Sequence, residues 1–523
     1  MSIEQVRQHA LGDVPRRTAA RYPDKVAIVD GATTLTFGQF DRAVNRVSNA
    51  LRERGLGKGD RCAILSRNRW EYAAVAYATA RVGVVLVPVN FMLNAEEIGY
   101  ILQHSGAVTV MAEADLIAAA DGAIACSSTD LRRIVLGADG AHPGWEPFSA
   151  LLSAPATPPP FVAVGDDDPV RLMYTSGTES RPKGALLSSR ALMWEYVSCV
   201  VDGGMSRDDV DLHALPLYHC AQMDCFLGPD IYLGATSIIT AGPDPENVLH
   251  LIEKHRVTKF FAPPTVWIAL LRSPSFDSTD LSTLVKGYYG ASPMPIEILR
   301  EITARLPHVQ LWNFYGQTEM SPVATILAPH EQLEHAGSAG RPVLNVETFV
   351  VDDSGIPLPV GEVGEIVHRS PHATLGYYND PDKTAEAFAG GFFHSGDLGM
   401  FDEHGVLRVV DRKKDMIKTG GENVASREVE EAIYGHPGVA EVAVFGVADP
   451  KWVEAVAAVV VARDGVALRA DDVVEHCRER LAGYKRPKHV VLAAALPKNP
   501  SGKILKRVLR NEFEIGSISG ELT

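Results

Sequence analysis

The stretch Met173-Tyr174-Thr175-Ser176-Gly177-Thr178-Glu179-Ser180-Arg181-Pro182-Lys183-Gly184 decides how the rest of the chain reads. An apolar, strand-like entry through Val170, Leu172 and Met173 runs into small hydroxyl and glycine residues and ends in a lysine set between proline and glycine. Glycine lets backbone N–H groups turn toward a ligand, Ser and Thr add donors, and Lys183 supplies a point charge suited to phosphate. A Ser/Gly/Thr run alone is an ordinary polar turn; the Pro-Lys-Gly ending makes it a polyanion cradle. It is not the G-x-x-x-x-G-K-[ST] phosphate loop, because Pro182 stands where that pattern needs its second glycine.

The chain has 523 residues, 46% hydrophobic and 22% charged, with a formal net charge of −15. That length allows several domains with ample core, and the acidic balance argues against a dedicated nucleic-acid binder. The N-terminal segment is rich in charged and polar residues and has no apolar run of signal-peptide type. The most apolar long window, Tyr72 to Phe91, is interrupted by Arg81, Gly83 and Pro88. It reads as a helix followed by a buried strand, not a membrane span, which leaves only peripheral membrane contact open. The six cysteines form no C-x-x-C pair, the usage expected of a cytoplasmic protein with buried thiols.

Outward from the cradle, helical and strand patterns alternate. Val26–Val29 and Thr34–Phe37 read as a hairpin around Asp30-Gly31, followed by an amphipathic helix from Phe40 to Arg54. Short apolar runs at Arg61–Leu65, Val84–Val89 and Ala107–Met111, separated by helices, are the mark of an α/β sheet buried on both faces. A second α/β series follows the cradle, with strands ending at Leu212–His219, Thr236–Thr240 and Lys259–Phe261 and helices at Val248–His255 and Thr265–Leu271. The charged run Asp411-Arg412-Lys413-Lys414-Asp415 then separates residues 1–411 from a C-terminal segment, 412–523, of the size of a small α/β cap.

Four further elements carry chemistry. Gly290-Ala291-Ser292-Pro293 and Asn313-Phe314-Tyr315-Gly316-Gln317-Thr318-Glu319 both follow β-like runs, and in such sheets ligands bind beyond the carboxyl ends of strands. A tyrosine there can stack on a base, and Glu319 offers the oxygen ligand that Mg²⁺ prefers. In Phe393-His394-Ser395-Gly396-Asp397, a carboxylate after a glycine turn suits ribose hydroxyls. The fourth element, Pro497-Lys498-Asn499-Pro500-Ser501-Gly502-Lys503, ends in an ammonium able to offset the repulsion between two anions brought together. Singly, each also reads as a turn or a solvated charge run.

In order and spacing, the cradle and these elements resemble the adenylate-forming (AMP-binding) superfamily, and within it the fatty acyl-CoA synthetases and acyl-CoA ligases. The likeness spans essentially the whole chain. Glu179 and Ser180 depart from it, standing where the superfamily has Thr and Gly. The resemblance implies a large N-terminal domain of several sheets sandwiched by helices, and a small mobile α+β C-terminal domain. It implies ATP contacts from Thr175, Ser176, Gly177, Thr178 and Lys183, from Gly290, Ala291 and Ser292, and from Tyr315, Gly316, Gln317 and Thr318. Glu319 would hold Mg²⁺, Asp397 and Arg412 the ribose, and Lys503 the acyl carboxylate and α-phosphate. Lys414 would be the hinge, and Gly420 and Gly421 would line a thiol channel opened when the small domain swings.

The acid is read from Pro216-Leu217-Tyr218-His219-Cys220-Ala221. Amino-acid-activating members place an aspartate about where His219 falls, so a non-amino acid is implied. The expectation is a medium- or long-chain fatty acid in a tunnel drawn from Trp194, Tyr196, Met223, Phe226, Leu227, Tyr288, Tyr289 and Val323, with an aryl acid as the alternative and His219 as a catalytic or merely structural histidine. Tyr484-Lys485-Arg486-Pro487-Lys488 places cations for the phosphates of coenzyme A or for the phosphopantetheine arm of an acyl carrier protein. A non-catalytic acyl or nucleotide sensor is the remaining reading, and it would be marked by loss of Lys503, Glu319, Asp397 or Lys183, all of which are present.

Overall fold

A computed structural model describes residues 3, 6, 9–127, 130–137, 140–175, 182–292, 294–498, 504–514, 516 and 521–522. The first apolar runs assemble into a seven-stranded sheet in the order Glu146–Pro147, Arg132–Leu136, Thr109–Glu113, Arg61–Leu65, Val85–Pro88, Pro169–Thr175 and Lys183–Ser188. Its pairings are parallel except the last, where Thr175 lies opposite Lys183. Val85–Pro88 is buried at every position, as a strand covered by helices on both faces must be. The helix expected from Phe40 begins at Phe37, because Thr36 caps it. The Thr36 hydroxyl accepts from Gln39 N–H at 3.2 Å while the Gln39 side chain accepts from Thr36 N–H at 2.8 Å, a reciprocal capping box.

The second series forms a nine-stranded sheet whose central members, from Gln310–Gly316 through Lys286–Gly290, Lys259–Phe261, Val210–His213 and Thr236–Ile239 to Val26–Asp30, run parallel. The expected hairpin supplies its edge, Val26–Asp30 pairing antiparallel with Thr33–Thr36. A four-stranded antiparallel sheet, Glu347–Val351, Gly364–Arg369, Phe393–Phe401 and Leu407–Arg412, completes the large domain. The remaining sheet draws only on strands after residue 416, centred on Val453–Ala462, which pairs antiparallel with Val439–Asp449 and parallel with His489–Leu492. The fold is thus α/β with several mixed sheets in a large N-terminal domain and a small C-terminal one. Five of the six cysteines are buried and Cys126 is exposed.

The nine-stranded sheet carries a charge cluster at its centre. Lys259 lies 3.2 Å from Asp211 and also pairs with Asp230, which is 3.3 Å from His213, all four being fully buried. Burial opposes the lysine charge and the two aspartates outweigh it, so Lys259 remains an ammonium. Removing one partner of such a group leaves uncompensated buried charge. Lys259→Ala is therefore expected to destabilise the large domain by about 3–5 kcal/mol, seen as an earlier urea-unfolding transition, whereas an exposed lysine such as Lys254 replaced by Ala should move it by less than about 0.5 kcal/mol.

Candidate active site

The carboxyl ends of the two large sheets bring the sequence elements together. The antiparallel pairing of Thr175 with Lys183 closes the cradle at its base. Ser176, Gly177, Thr178, Glu179, Ser180 and Arg181, like Pro293 and the terminal Gly502-Lys503, lie outside the described residues. A segment without a strong sequence signal then pairs with the cradle's exit strand. Leu375 N–H donates to Leu186 O at 2.9 Å, Leu186 N–H to Gly376 O at 3.0 Å, and Tyr378 N–H to Gly184 O at 2.8 Å. This adds residues 374–378 as a short edge and brings Tyr377 against Lys183, whose Nζ lies 5.4 Å from the ring centre.

Tyr377 also donates its hydroxyl to Glu319 Oε1 at 2.8 Å, and Thr374 N–H donates to the Glu319 carbonyl at 2.7 Å. Burial, then the Glu319 charge, pushes the phenol well above its ordinary pKa, so it remains a donor at neutral pH. The lysine of the cradle and the carboxylate of Y-G-Q-T-E thus meet through one phenol. The segment that carries Tyr377 is anchored by buried His372, which meets Ser198 Oγ at 3.0 Å and Val323 O at 3.2 Å, while Ser321 Oγ donates to the His372 carbonyl at 2.7 Å.

Asp397 and Arg412 stand opposite each other on neighbouring strands, with Arg412 Nε 3.5 Å from Oδ1. The other oxygen, Oδ2, accepts from the Tyr315 hydroxyl at 2.7 Å. Tyr315 is therefore tied to the proposed ribose carboxylate by its hydroxyl. The glycines permit close backbone approach: a Cβ on Gly316 would lie 2.0 Å from Pro322 O and one on Gly290 2.4 Å from Phe314 O. Ala291 adopts the left-handed region at φ 63°. Gln317 keeps both side-chain amide atoms buried with no hydrogen-bond partner among the described residues.

His219 caps the short helix Cys220–Gln222, its Nδ1 accepting from Ala221 N–H at 3.2 Å. The next residue, Cys220, places Sγ 3.3 Å from Thr318 Oγ1, which seats the acid-reading segment against Y-G-Q-T-E. The eight residues expected to line a tunnel fall in different surroundings. Trp194 is 44% exposed, Met223 and Leu227 belong to one core cluster, Tyr289 to another, and Phe226, Tyr288 and Val323 to a third. The helical turn of 100° per residue is the reason, since it sends Trp194 and Tyr196 to opposite sides of helix Ser189–Asp202.

In the small domain, Gly420 and Gly421 adopt φ values of 60° and 87° and turn beneath Trp452, whose carbonyl accepts from Gly420 N–H at 2.8 Å. Lys451 and Lys488 approach the Trp452 ring at 4.7 and 5.9 Å. Of the other cations in that motif, Lys485 pairs with Glu428 at 2.6 Å and Arg486 caps the Leu481 and Arg478 carbonyls. Lys414 sits in the turn that links the domains. Burial, then the Arg412 charge, lowers its pKa.

This fold and this grouping of phosphate-, ribose- and metal-suited side chains define a nucleotide-dependent acid-activating enzyme. The chain belongs to the AMP-binding enzyme family, whose model matches residues 15–378, with the family's C-terminal domain matching residues 428–503. It is 38% identical to a feruloyl-CoA synthase from Amycolatopsis sp, over 97% of this chain and 100% of that protein. It is 35% identical to the long-chain-fatty-acid–CoA ligase FadD13 of Mycobacterium tuberculosis, over 96% of this chain and 98% of that one. The crystal structure of the anthranilate CoA ligase AuaEII in complex with anthranoyl-AMP superposes with a TM-score of 0.92 at 26% identity, covering 99% of this chain and 100% of that chain. The chain is accordingly an AMP-forming acid–CoA ligase that works through an acyl-adenylate. Among the described residues no helix is long and apolar enough to cross a membrane.

Two predictions follow from the geometry. Tyr377→Phe keeps the ring over Lys183 but removes a hydrogen bond to a charged group, about 1.5–3 kcal/mol; kcat/KM for ATP, measured by pyrophosphate release, should fall by about 10- to 100-fold. Burial drives the His372 pKa down from 6.5 to about 4, against its hydrogen bonds to the Val323 and Trp194 backbone. A histidine held neutral in the fold takes up its proton more readily when unfolded. Its contribution is therefore complete above about pH 6.5 and is lost by roughly 3 kcal/mol as the pH falls toward 4; His372→Asn should flatten that part of the stability profile.

Proposed function

We propose that this ligase activates a non-amino carboxylic acid of compact, aryl type, with residues 1–411 forming the ATP- and acid-binding domain and residues 412–523 a mobile domain that turns about Lys414. The observation that carries the ATP-binding reading is the meeting of Lys183 and Glu319 on Tyr377. A polyphosphate needs a cation for its oxygens and a carboxylate for its metal. The oxygen donor set fits Mg²⁺; Glu319 would hold it, and the ion supplies neutralisation of phosphate charge when bound.

In the first half-reaction the acid carboxylate attacks the α-phosphorus of ATP, forming the acyl–phosphate bond and expelling pyrophosphate. Lys183 and the cradle orient the β- and γ-phosphates, Asp397 and Arg412 hold the ribose, and Tyr315 fixes Asp397. Lys503 offsets the repulsion between carboxylate and phosphate. In the second, rotation about Lys414 withdraws Lys503 and presents Gly420 and Gly421. The thiol of coenzyme A then attacks the acyl carbon and AMP leaves.

The preference for a compact acid rests on two supports. The aromatic residues under the His219 segment are stacked on one another: Phe226 lies 4.3 Å from Phe261 and 5.5 Å from Phe314, centre to centre. The feruloyl-CoA synthase similarity points the same way. A medium- or long-chain fatty acid is the second reading, favoured by the likeness to FadD13. For the acceptor, Trp452 with Lys451 and Lys488 beside Gly420 offers a stacking face and two cations, which suits the purine and phosphates of coenzyme A. The relatives give a carrier protein no support.

The test measures acid-dependent pyrophosphate release over a panel of aryl and alkyl acids, with the thioester detected by mass after coenzyme A is added. Lys503→Ala should abolish release. Trp452→Ala should raise KM for coenzyme A about tenfold and leave release in its absence unchanged. Release with alkanoates alone would overturn the aryl reading, and no release with any acid would overturn the function.

A further inference from the structure

The segment that reads the acid has a second, buried side that adenylation does not use. Arg171, on strand Pro169–Thr175, pairs with Asp224 through Nε and Oδ1 at 3.0 Å, and both are fully buried. Tyr77 comes in from helix Trp70–Val82, Glu195 and Tyr196 from helix Ser189–Asp202, and Tyr218 from the loop just before His219. Tyr77, Glu195 and Tyr196 are within electrostatic reach of Arg171, Asp224 or one another, and Tyr218 is within reach of Tyr72, which itself lies near Arg171 and Asp224. Gly228 lets Tyr196 in, since a Cβ there would lie 2.3 Å from its ring.

This shell is unfinished as protein. Both η nitrogens of Arg171, Asp224 Oδ2, Glu195 Oε2 and the hydroxyls of Tyr77, Tyr196 and Tyr218 are buried without a hydrogen-bond partner among the described residues. Folded proteins pair the great majority of buried polar atoms, and an isolated lapse is common enough. Six neighbouring residues with the same lapse point to a polar guest.

The position of the shell says which guest. Asp224 lies one helical turn beyond Cys220, whose Sγ touches Thr318 of Y-G-Q-T-E, and Cys225 Sγ donates to Glu195 Oε1 at 3.0 Å. The shell therefore begins about 5–6 Å along the segment that starts at the adenylation centre. Its charge is balanced: Asp224 offsets Arg171, and burial keeps the Glu195 carboxyl protonated by raising its pKa. What remains is a neutral set rich in donors, from the arginine, three phenols and a carboxylic acid. Such a set rewards an oxygen acceptor that carries no charge, and leaves costly unpaired groups against a plain alkyl tail.

We propose that Arg171, Asp224, Glu195 and Tyr196 form a specificity site for the far end of the acid, which carries a hydroxyl or ether oxygen remote from its carboxylate. This rests on the ligase reading above and sharpens its substrate class. The oxygen takes a hydrogen bond from Tyr196 or Arg171 and, if it is a hydroxyl, donates to Glu195.

The experiment compares acids matched in skeleton, 4-hydroxycinnamate with cinnamate and 4-hydroxybutyrate with butyrate, by kcat/KM for pyrophosphate release in the full-length enzyme. The wild type should prefer the hydroxylated member of at least one pair by about tenfold or more. Tyr196→Phe should cut that preference about 3- to 10-fold through KM for the hydroxylated acid, with KM for ATP unchanged. Its melting temperature should hold or rise, because the lost hydroxyl has no partner among the described residues. Glu195→Gln, which keeps shape and hydrogen bonding, should retain at least part of the preference. Equal rates within both pairs, or a Tyr196→Phe enzyme slowed equally on both members, would mean a shell filled by ordered water only and would overturn the proposal while leaving the ligase reading in place. No release with any acid would overturn both.

Discussion

One phenol organises the proposed nucleotide end of this enzyme. A lysine for phosphate and a carboxylate for metal must face the same ligand, yet opposite charges placed in contact would satisfy each other first. Tyr377 resolves this by giving its ring face to Lys183 and its hydroxyl to Glu319. Each charged group is positioned without being neutralised. The phenol serves because burial and the neighbouring carboxylate keep its proton on. Its own position depends on backbone pairing between residues 374–378 and the cradle's exit strand, and on the buried His372 behind it. The cradle, the Y-G-Q-T-E turn and that added edge are thus one mechanical unit.

The ribose end repeats the design. Asp397 is held from one side by Tyr315 and from the other by Arg412, and Arg412 is the last residue of the last large-domain strand. Five residues later the small domain's first strand begins at Ile417. The proposed ribose contact and the proposed domain pivot are thus neighbours in the chain, beside the joint between the two domains. Arg427 crosses that joint, donating to Gly337 O and Val409 O at 2.8 Å each, so the orientation described is one held by specific backbone bonds.

Much of this was legible in the chain. The strands around the cradle read correctly because short apolar runs between helices leave few other ways to bury both faces. Glu319, Asp397 and Arg412 were singled out by local spacing, from motifs that a glycine or a charged run marks, and the structure sets Asp397 and Arg412 opposite each other on neighbouring strands. Tyr377 carried no comparable signal: Gly376-Tyr377-Tyr378 resembles any aromatic pair after a turn, and what makes it functional is a strand pairing across about 190 residues. The scatter of the expected tunnel residues over separate clusters has a related reason. Aromatic composition shows that residues are apolar, not which side of a helix each one faces.

By itself the sequence determined the family and the acid–CoA ligase chemistry, because a motif suited to phosphate or ribose is built from contiguous residues whose backbone freedom shows in their identity. Only the tertiary structure decided which distant groups meet and which, among the described residues, stay unpaired. The joining of Lys183 to Glu319 through Tyr377, and the open hydrogen-bonding positions around Arg171 and Asp224, arise where distant segments are packed together. Pairing across such distances is a property of packing in three dimensions, and local spacing does not encode it.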